Sequence, residues 1–202
     1  MDDLIFKAKK HEYVTADGKK LPSVSELTEP LSKCIYGDID PEVLAIAAMR
    51  GTEIHEATVE LDTKGMAIIS GDLGDYLQAY ANFRKEHVVS WFNHYTEEPM
   101  RNGDLYAGTI DRFGIVDDKR TLADIKTSSK ITGKNLVVYE AQLNLYRMML
   151  EAHEEKVEQL MIIHLKREGT YQLYNIDVDD KLANICIYIN QRLKERKRRV
   201  KK

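Results

Sequence analysis

The sequence predicts an α/β (α+β) fold in which a central mixed β-sheet is flanked by helices. Helical spacing and helix caps dominate residues 20–91, and residues 92–127 alternate between apolar and polar side chains. A helical segment at 134–152 then separates this region from two more strand-like segments. The predicted order is helices, then β-β-β-α-β-β-α, in a single domain over residues 1–202. Its expected parts are a helical part at about 20–91, a sheet core at about 92–178 and a last helix with a basic tail at 179–202.

The N-terminal elements follow from turn and cap signals. Residues 5–22 alternate in short stretches around the turn Ala16–Lys19, which predicts a hairpin. Ser23 or Ser25 can cap the first helix, and Glu26 follows Ser23 by three residues, as in a capping box. That helix is expected to end before Gly37.

Two further helices are expected in this part of the chain. The second opens at Asp40-Pro41-Glu42, with proline at its first position, and runs to about Thr63. The third extends from Gly71 to about Trp91.

The next pair of elements has the pattern of a β-hairpin. Alternating stretches at Tyr106–Val116 and Arg120–Thr127 flank the polar turn Asp117-Asp118-Lys119. We assume that Asp117 pairs with Arg120 across a two-residue turn. Then Asp111 lies opposite Lys126, and Phe113 lies opposite Asp124.

This register predicts a convergence of charged side chains. Directly opposed residues share a face of the sheet, and so do residues two apart on one strand. Asp111, Asp124 and Lys126 are therefore expected on the same face. A slip of one residue would send Asp111 to the other face.

The last elements complete the sheet and its cover. Residues 134–152 have helical spacing, and Val157–Lys166 has the pattern of a buried strand. After a turn at Gly169-Thr170, the segment YQLYNIDV predicts another strand. The final helix is expected to begin at Asp179 or Asp180.

Composition excludes several classes of protein. With 43% hydrophobic and 31% charged residues, the chain is typical of soluble globular proteins. No apolar run approaches the ~20 residues that cross a bilayer, and the first ten residues have no signal-peptide core. Only Cys34 and Cys186 are present, so we expect no disulfide framework, zinc site or iron–sulfur cluster. The expected location is the cytoplasm.

Charge is distributed unevenly along the chain. The net charge is -3, yet the segment from Arg192 to Lys202 reads RLKERKRRVKK and holds eight basic residues against one Glu. Such a tail can bind phosphate backbones through counterion release. It can equally be a solvated helix end, and the sequence leaves both interpretations open.

Two carboxylates and an ammonium on a mostly apolar hairpin point to metal chemistry. Asp111 and Asp124 offer hard oxygen ligands that suit Mg²⁺ or Mn²⁺. Lys126 on the same face can orient a nucleophilic water and offset charge on a phosphate. The alternative is a surface ion pair on an exposed hairpin. The apolar residues on both faces of these strands favour a central, buried position.

Other candidates have weaker signals. His55 lies within the helical segment GTEIHEATVE, and Gly51 precedes it by one turn, where a missing side chain would let another element approach. A lone histidine is more often packed or on the surface. Gln142 and Tyr146 lie one helical turn apart and could contact a phosphate or simply pack the helix.

An acidic pair just before the hairpin completes the candidates. Either Glu97 or Glu98 could reach the metal or its water. The spacing alone does not select between them, and Glu98 directly precedes Pro99, as a turn residue would.

The combination of four short motifs resembles the RecB-like branch of the PD-(D/E)XK nuclease superfamily, which includes phage exonucleases. The motifs are GTEIHE, AGTIDR, ADIKTS and YEAQLNLY, and the resemblance covers roughly residues 20 to 150. LPSVSEL is also similar to the opening of many such proteins. The resemblance implies a restriction-endonuclease-like core. It also implies that His55, Asp111, Asp124 and the carbonyl of Ile125 hold the metal.

The same resemblance assigns roles to the remaining candidates. Asp124 and Lys126 match the (D/E)xK pair, and Gln142 and Tyr146 match a QxxxY motif that contacts DNA or supports the site. Glu97 or Glu98 matches an acidic residue that some members carry. Several members hold an iron–sulfur cluster on four cysteines, and two cysteines cannot do so, which points to the cluster-free, phage-type members.

The leading hypothesis is a metal-dependent deoxyribonuclease, expected to act as an exonuclease in DNA recombination, repair or replication. Its expected cofactor is Mg²⁺ or Mn²⁺, and its expected partners are DNA and a recombination or replication protein, with oligomeric state left open. One alternative is a non-catalytic DNA-binding or assembly module, and another is an RNA-processing nuclease of the same chemistry. A magnesium titration separates the first alternative, because a simple binder needs no metal and never degrades DNA.

Overall fold

The computed structural model describes residues 4–7, 10–68 and 71–200, without the side chain of Val200. The last two residues of the predicted basic tail, Lys201 and Lys202, lie outside the described residues. The N-terminal segment forms a three-stranded antiparallel sheet of β1 (Leu4–Lys7), β2 (Glu12–Thr15) and β3 (Lys20–Leu21). The predicted hairpin is therefore confirmed.

The caps of the first two helices are confirmed as well. In α1 (Val24–Tyr36), the Ser23 side chain accepts the N–H of Glu26 at 3.0 Å, and the Glu26 carboxylate accepts the N–H of Ser23 at 2.7 Å. This reciprocal pair is the predicted capping box. α2 (Pro41–Lys64) has proline in its first turn, as expected.

The third helix is shorter than predicted. A 3₁₀ turn at Gly71–Leu73 leads into α3 (Gly74–Glu86), which ends five residues before the expected Trp91. The following residues form a short strand, β4 (Val89–Trp91). Pairing at the edge of the main sheet outweighs the helical spacing here, and a β-branched pair at Val88-Val89 suits that strand.

The stretch predicted as one strand, Tyr106–Val116, is divided in two. Its first part, β6 (Tyr106–Thr109), pairs with β5 (Pro99–Asn102) in a separate two-stranded sheet. Its second part, β7 (Arg112–Val116), belongs to the main sheet. The break falls at Ile110 and Asp111, directly at the predicted site.

The main sheet has five strands in the order β10-β9-β8-β7-β4. Only β8 and β9 run parallel, and α4 crosses over between them; the other neighbours are antiparallel. The predicted mixed sheet flanked by helices is therefore confirmed. The remaining elements are β8 (Lys119–Lys126), α4 (Gly133–Ala152), β9 (Gln159–Leu165), β10 (Tyr171–Ile176) and α5 (Asp180–Val200).

The predicted hairpin register is wrong by two residues, because the two-residue turn lies one position earlier in the chain than assumed. The two turn residues are Asp117 and Asp118, with φ values of +46° and +66°, so that Val116 pairs with Lys119. Two successive positive φ values are typical of a type I′ turn, whose twist matches the strands. Phe113 therefore lies opposite Leu122 instead of Asp124, and the expected pairing of Asp111 with Lys126 is wrong, because β7 begins only at Arg112. Because Leu122 and Asp124 are two residues apart, the face expected for Asp124 does not change.

Helices cover both faces of this sheet. Helices α1, α4 and α5 pack on the face that carries Phe113, Leu122 and Ile162. Helices α2 and α3 pack on the opposite face, against Ala123 and Ile125 among others. Within the ranges described, no helix is long and apolar enough to cross a membrane.

Candidate metal centre

The centre is built around the break between β6 and β7. Asp111 precedes β7, and its Oδ2 atom accepts the backbone N–H of Ile125 at 2.8 Å. The carbonyl of Ile110 instead accepts the N–H of Glu97 at 2.9 Å. A carboxylate thus takes the place of a strand partner at the end of β8. This arrangement leaves the Ile125 carbonyl available to a side chain from another element.

That side chain is His55 of α2. Its Nε2 atom lies 3.2 Å from the Ile125 carbonyl oxygen, and its Nδ1 atom lies 3.1 Å from Glu97 Oε1 and 3.6 Å from Asp111 Oδ1. Both ring nitrogens face oxygen acceptors, so both bonds form only when the ring is doubly protonated. Burial alone would lower the pKa of His55, but the carboxylates of Asp111 and Glu97 outweigh it and raise the pKa to about 9.

The donor atoms in this cluster suit a divalent cation. Ligand atoms of His55, Glu97 and Asp111 lie within 4.8 Å of one another, and the Ile125 carbonyl lies 3.2 Å from the Nε2 atom of His55. Carboxylate and carbonyl oxygens are the ligands that Mg²⁺ and Mn²⁺ prefer, and Mn²⁺ accepts imidazole more readily. The residues at this position therefore fit either ion.

A second cluster lies beside the first, on the α4 face of the sheet. Lys126 Nζ is 2.6 Å from Asp124 Oδ2 and donates to Gln142 Oε1 at 3.2 Å, and Gln142 Nε2 donates to Asp124 Oδ1 at 3.1 Å. Lys126 Nζ also lies 4.9 Å from the ring centre of Tyr139, within cation–π range. The predicted Asp124, Lys126 and Gln142 are therefore brought together as one closed ring of contacts.

Electrostatic interactions in this second cluster keep Lys126 charged and disfavour the ionised form of Asp124. Burial raises the pKa of Asp124, the negative Asp111 adds to the effect, and Lys126 opposes it. For Lys126, burial lowers the pKa, but Asp124 and Asp111 outweigh burial and raise it. Apart from the ion pair with Lys126, Asp124 Oδ2 is buried and has no hydrogen-bond partner among the residues described. An acceptor left in this state is one that a cation can use.

The structure selects between the two acidic residues that the sequence left open. Glu97 lies in the cluster with His55, and its φ of +53° places it in a backbone region uncommon for residues other than glycine. Glu98 is exposed and forms no contact with the cluster among the residues described. Glu97 is therefore the candidate ligand.

Tyr146 is a buried residue of the core that packs next to the candidate site. It is only 6% exposed, and burial raises its pKa well above the usual range. A Cβ atom placed on Gly108 would lie 2.6 Å from the Tyr146 ring and 3.0 Å from Val24. The tyrosine of YEAQLNLY therefore requires the glycine of AGTIDR, since the ring fills the space that a side chain at Gly108 would need.

The reason suggested for Gly51 is wrong. Among the described residues, no atom lies within 4 Å of the position of a Cβ atom on Gly51, so none of the described elements approaches it. The residue instead lines a cavity of about 900 Å³ that opens beside His55 and Glu97. Glu53, Glu56 and Glu60 also line this cavity, so the approach to the cluster from that side is acidic.

The sequence did not single out Arg112, which organises the cluster. Its guanidinium is fully buried and binds four acceptors. They are Asp62 Oδ2 at 3.0 Å, Thr58 Oγ1 at 2.8 Å, Glu97 Oε1 at 3.3 Å and the Asp111 carbonyl at 2.7 Å. The available signal was an arginine directly after Asp111 in a strand that is apolar on both faces, because a buried charge needs partners.

Comparisons with known proteins do not name the site. No family model matches the sequence, and no curated protein matches it. Thirteen chains of solved structures match, among them one described as "Crystal structure of SSO0001". That chain is 19% identical, with a TM-score of 0.42, over 83% of this chain and 74% of its own. A likeness this distant carries no argument about function.

Proposed function

We propose that the protein is a metal-dependent nuclease that hydrolyses phosphodiester bonds of DNA. One observation carries the proposal. Ligand atoms of His55, Glu97 and Asp111 lie within 4.8 Å of one another, the Ile125 carbonyl contacts the second ring nitrogen of His55, and the residues on either side of Ile125 are a carboxylate and an ammonium. Hydrolysis of a phosphodiester needs a site for a divalent cation, a positioned water and compensation of charge on the phosphate. These neighbouring groups can supply all three.

Residues of the first cluster would hold the cation. His55, Glu97, Asp111 and the Ile125 carbonyl offer four donor atoms, and Asp124 lies next in the chain with one oxygen that makes only an ion pair. When bound, Mg²⁺ or Mn²⁺ supplies Lewis acidity and lowers the pKa of its water. His55 must bind through a neutral nitrogen, so it gives up a proton on binding.

Lys126 and its neighbours would act on the substrate. The ammonium of Lys126 is fixed by Asp124 and Gln142 and can donate a hydrogen bond to the attacking water or to a phosphate oxygen. Because the carboxylates of Asp124 and Asp111 outweigh the effect of burial and keep this group charged, it offsets the negative charge that develops as the oxygen attacks phosphorus. Gln142 donates to Asp124 and accepts from Lys126, which fixes the two side chains relative to each other.

Charge around the centre favours one direction of approach. The cavity beside His55 is lined by Glu53, Glu56 and Glu60, which repel phosphate groups. On the other side, Lys126 stands at the end of β8, and the exposed Lys130 and Lys134 follow it. We infer that the scissile phosphate enters from the Lys126 side.

Cleavage of labelled DNA tests the proposal. The choice of DNA and of exonuclease action rests on the resemblance to RecB-like nucleases. End-labelled linear DNA and closed-circular DNA are incubated with Mg²⁺, with Mn²⁺ and with EDTA, and an RNA of the same sequence serves as competitor. We expect shortening of linear DNA with either metal, none with EDTA, and closed circles left intact. DNA binding without metal and without degradation would favour the non-catalytic alternative.

A further inference from the structure

The second half of α5 extends beyond the hydrophobic core. Up to Ile187, apolar side chains of α5 are buried in the main core, and Asn190 Nδ2 donates to the Glu26 carbonyl at 3.3 Å. Residues 191–199 are all exposed, although they remain helical. Six of the eight residues from Arg192 to Arg199 are basic and one is Glu. The basic tail is therefore an extension of a packed helix, anchored at its base.

One face of this extension borders a groove. Lys194 and Arg198, one helical turn apart, line a depression of about 280 Å³ whose opposite wall includes Lys20 and Leu21 of β3. Burial lowers the pKa of Lys194, and the positive charges of Lys20 and Arg198 lower it further, with Glu26 opposing. Two acidic residues, Asp104 and Glu195, also line the depression, and its four basic residues outnumber them. The concave surface therefore carries a net positive charge.

Charged residues beside the groove form ion pairs, whereas Lys194 and Arg198 do not. Lys20 pairs with Glu12 at 3.1 Å, and Arg192 pairs with Glu195 at 2.7 Å. Lys194 and Arg198 have no ion-pair partner within 4 Å among the described residues. Like charges one turn apart on a helix destabilise it when nothing compensates them. An anion in the groove would remove this cost.

We propose that the groove between β3 and the second half of α5 binds the sugar–phosphate backbone of DNA, away from the metal centre. The identity of the polyanion as DNA rests on the proposed function. The physical case favours a nucleic acid over an acidic protein. Between Gln191 and Arg199 the extension offers a single apolar side chain, Leu193, and no aromatic one. Protein interfaces are anchored by aromatic and apolar side chains, whereas backbone binding needs regularly spaced cations.

The groove is rigidly joined to the metal centre. The carbonyl of Pro22, which follows β3 and lines the groove, accepts the N–H of Ala107 at 2.9 Å. Ala107 belongs to β6, the strand that leads to Asp111. DNA held in the groove would therefore keep a fixed position relative to the metal ligands. We expect the groove to add affinity without changing the chemical step.

Salt-dependent DNA binding tests the proposal. The variant Lys194→Gln/Arg198→Gln removes the groove charges. The matched control Arg196→Gln/Arg199→Gln removes two charges from the opposite face of the same helix. Binding of fluorescent DNA is measured in EDTA over a range of salt concentrations. We expect the slope of log Kd against log[salt] to fall by about 1.4 to 1.8 in the groove variant, at 0.7 to 0.9 per lost phosphate contact, and by less than half of that in the control. Equal changes in both variants would overturn the proposal.

Two further measurements separate this proposal from the nuclease proposal. Hydrolysis of bis-p-nitrophenyl phosphate with Mn²⁺ reports on the metal centre alone, and we expect equal rates for both variants and the unchanged protein. If none of the three proteins hydrolyses it and none cleaves labelled DNA, the proposed nuclease fails, and the groove is still judged by DNA binding in EDTA. Polyglutamate serves as a competitor for the labelled DNA. If it displaces DNA as well as unlabelled DNA does at equal charge, the site is not selective for nucleic acid and the proposal is wrong.

Discussion

The ring of Tyr146 fills the space that a side chain on Gly108 would occupy, with ring carbon Cε1 2.6 Å from the position of a Cβ atom. These two residues come from different elements, β6 and α4, and each lies next to candidate site residues. The packing of the core and the placement of Asp111 are therefore linked at this contact.

Gly108→Ala is expected to destabilise the fold. The new methyl group would overlap the buried Tyr146 ring and lie 3.0 Å from Val24, so one of the two must shift. Overpacking of this kind costs about 1–3 kcal/mol. Thermal unfolding followed by circular dichroism measures the loss, which corresponds to about 2–4 °C per kcal/mol for a chain of this size. Gly133→Ala is the control, because no atom of the described part of the chain lies within 4 Å of a Cβ atom there, and an equal loss would contradict the packing argument.

Lys126→Ala is expected to reduce turnover by about 10²- to 10⁴-fold, the usual size of a positioned proton donor or charge stabiliser. Metal binding should change little, because Lys126 is not among the candidate ligands. Cleavage of labelled DNA and Mn²⁺ binding by calorimetry are measured on the same preparation. The exposed Lys130→Ala serves as control. Equal cleavage rates for the unchanged protein and Lys126→Ala would rule out this role.

Glu97→Gln and Glu98→Gln form a matched pair of adjacent, isosteric changes. Of these two residues only Glu97 contacts His55, so only Glu97→Gln should weaken Mn²⁺ binding. We expect a loss of tenfold or more, which is about 1.4 kcal/mol of binding energy. The increase in Tm at a fixed Mn²⁺ concentration reports this affinity, since a ligand that binds only the folded state stabilises it. The assignment of Glu97 is untenable if both variants keep the full increase.

Arg112→Met is expected to cost about 3–5 kcal/mol of folding stability. It removes one partner of a buried ion pair and leaves Asp62 without its closest cation. Chemical denaturation gives the loss, with the exposed Arg167→Met as a control that should change little. Mn²⁺ affinity should also fall, because Arg112 binds both the Glu97 carboxylate and the Asp111 carbonyl. Retention of full stability in Arg112→Met would show that the buried network is not required.

Mn²⁺ affinity is expected to rise with pH. In the metal-free protein the pKa of His55 is raised from 6.5 to about 9, so the protonated ring stabilises the fold fully below pH 6.5, and this contribution is lost as pH rises through 9. A metal must displace that proton, so affinity should increase about tenfold per pH unit between pH 7 and pH 9. Calorimetry at three pH values measures the slope. His55→Gln should flatten it, and an unchanged slope in that variant would assign the proton to another group.

Local signals in the sequence predicted much of the fold correctly. The Ser23–Glu26 capping box and the proline at Pro41 involve residues a few positions apart, so the sequence alone specifies them. The end of α3 was not predictable in this way. Val89 has the spacing of a helical residue, and only its pairing with Val116 at the sheet edge makes it a strand residue.

The candidate site was predicted in its members but not in its geometry. The spacing of Asp111, Asp124 and Lys126 within a hairpin indicated one site, and the structure gathers these residues in two adjoining clusters. The alternation from Tyr106 to Val116 continues without interruption, so it cannot show the break at Asp111. The choice of Glu97 over Glu98 depends on a backbone bond to Ile110, which no pattern in the sequence contains.

The parallel pairing of β8 with β9 has a consequence for synthesis of the chain. Every candidate ligand, from His55 to Ile125, leaves the ribosome before Gln159–Leu165, the strand that completes the sheet beside them. Until then β8 has only β7 as a neighbour, and its other edge presents unpaired backbone groups. The order of the residues therefore delays completion of the sheet beside the candidate ligands until a late, non-local contact forms, and this contact cannot form before translation has passed Leu165.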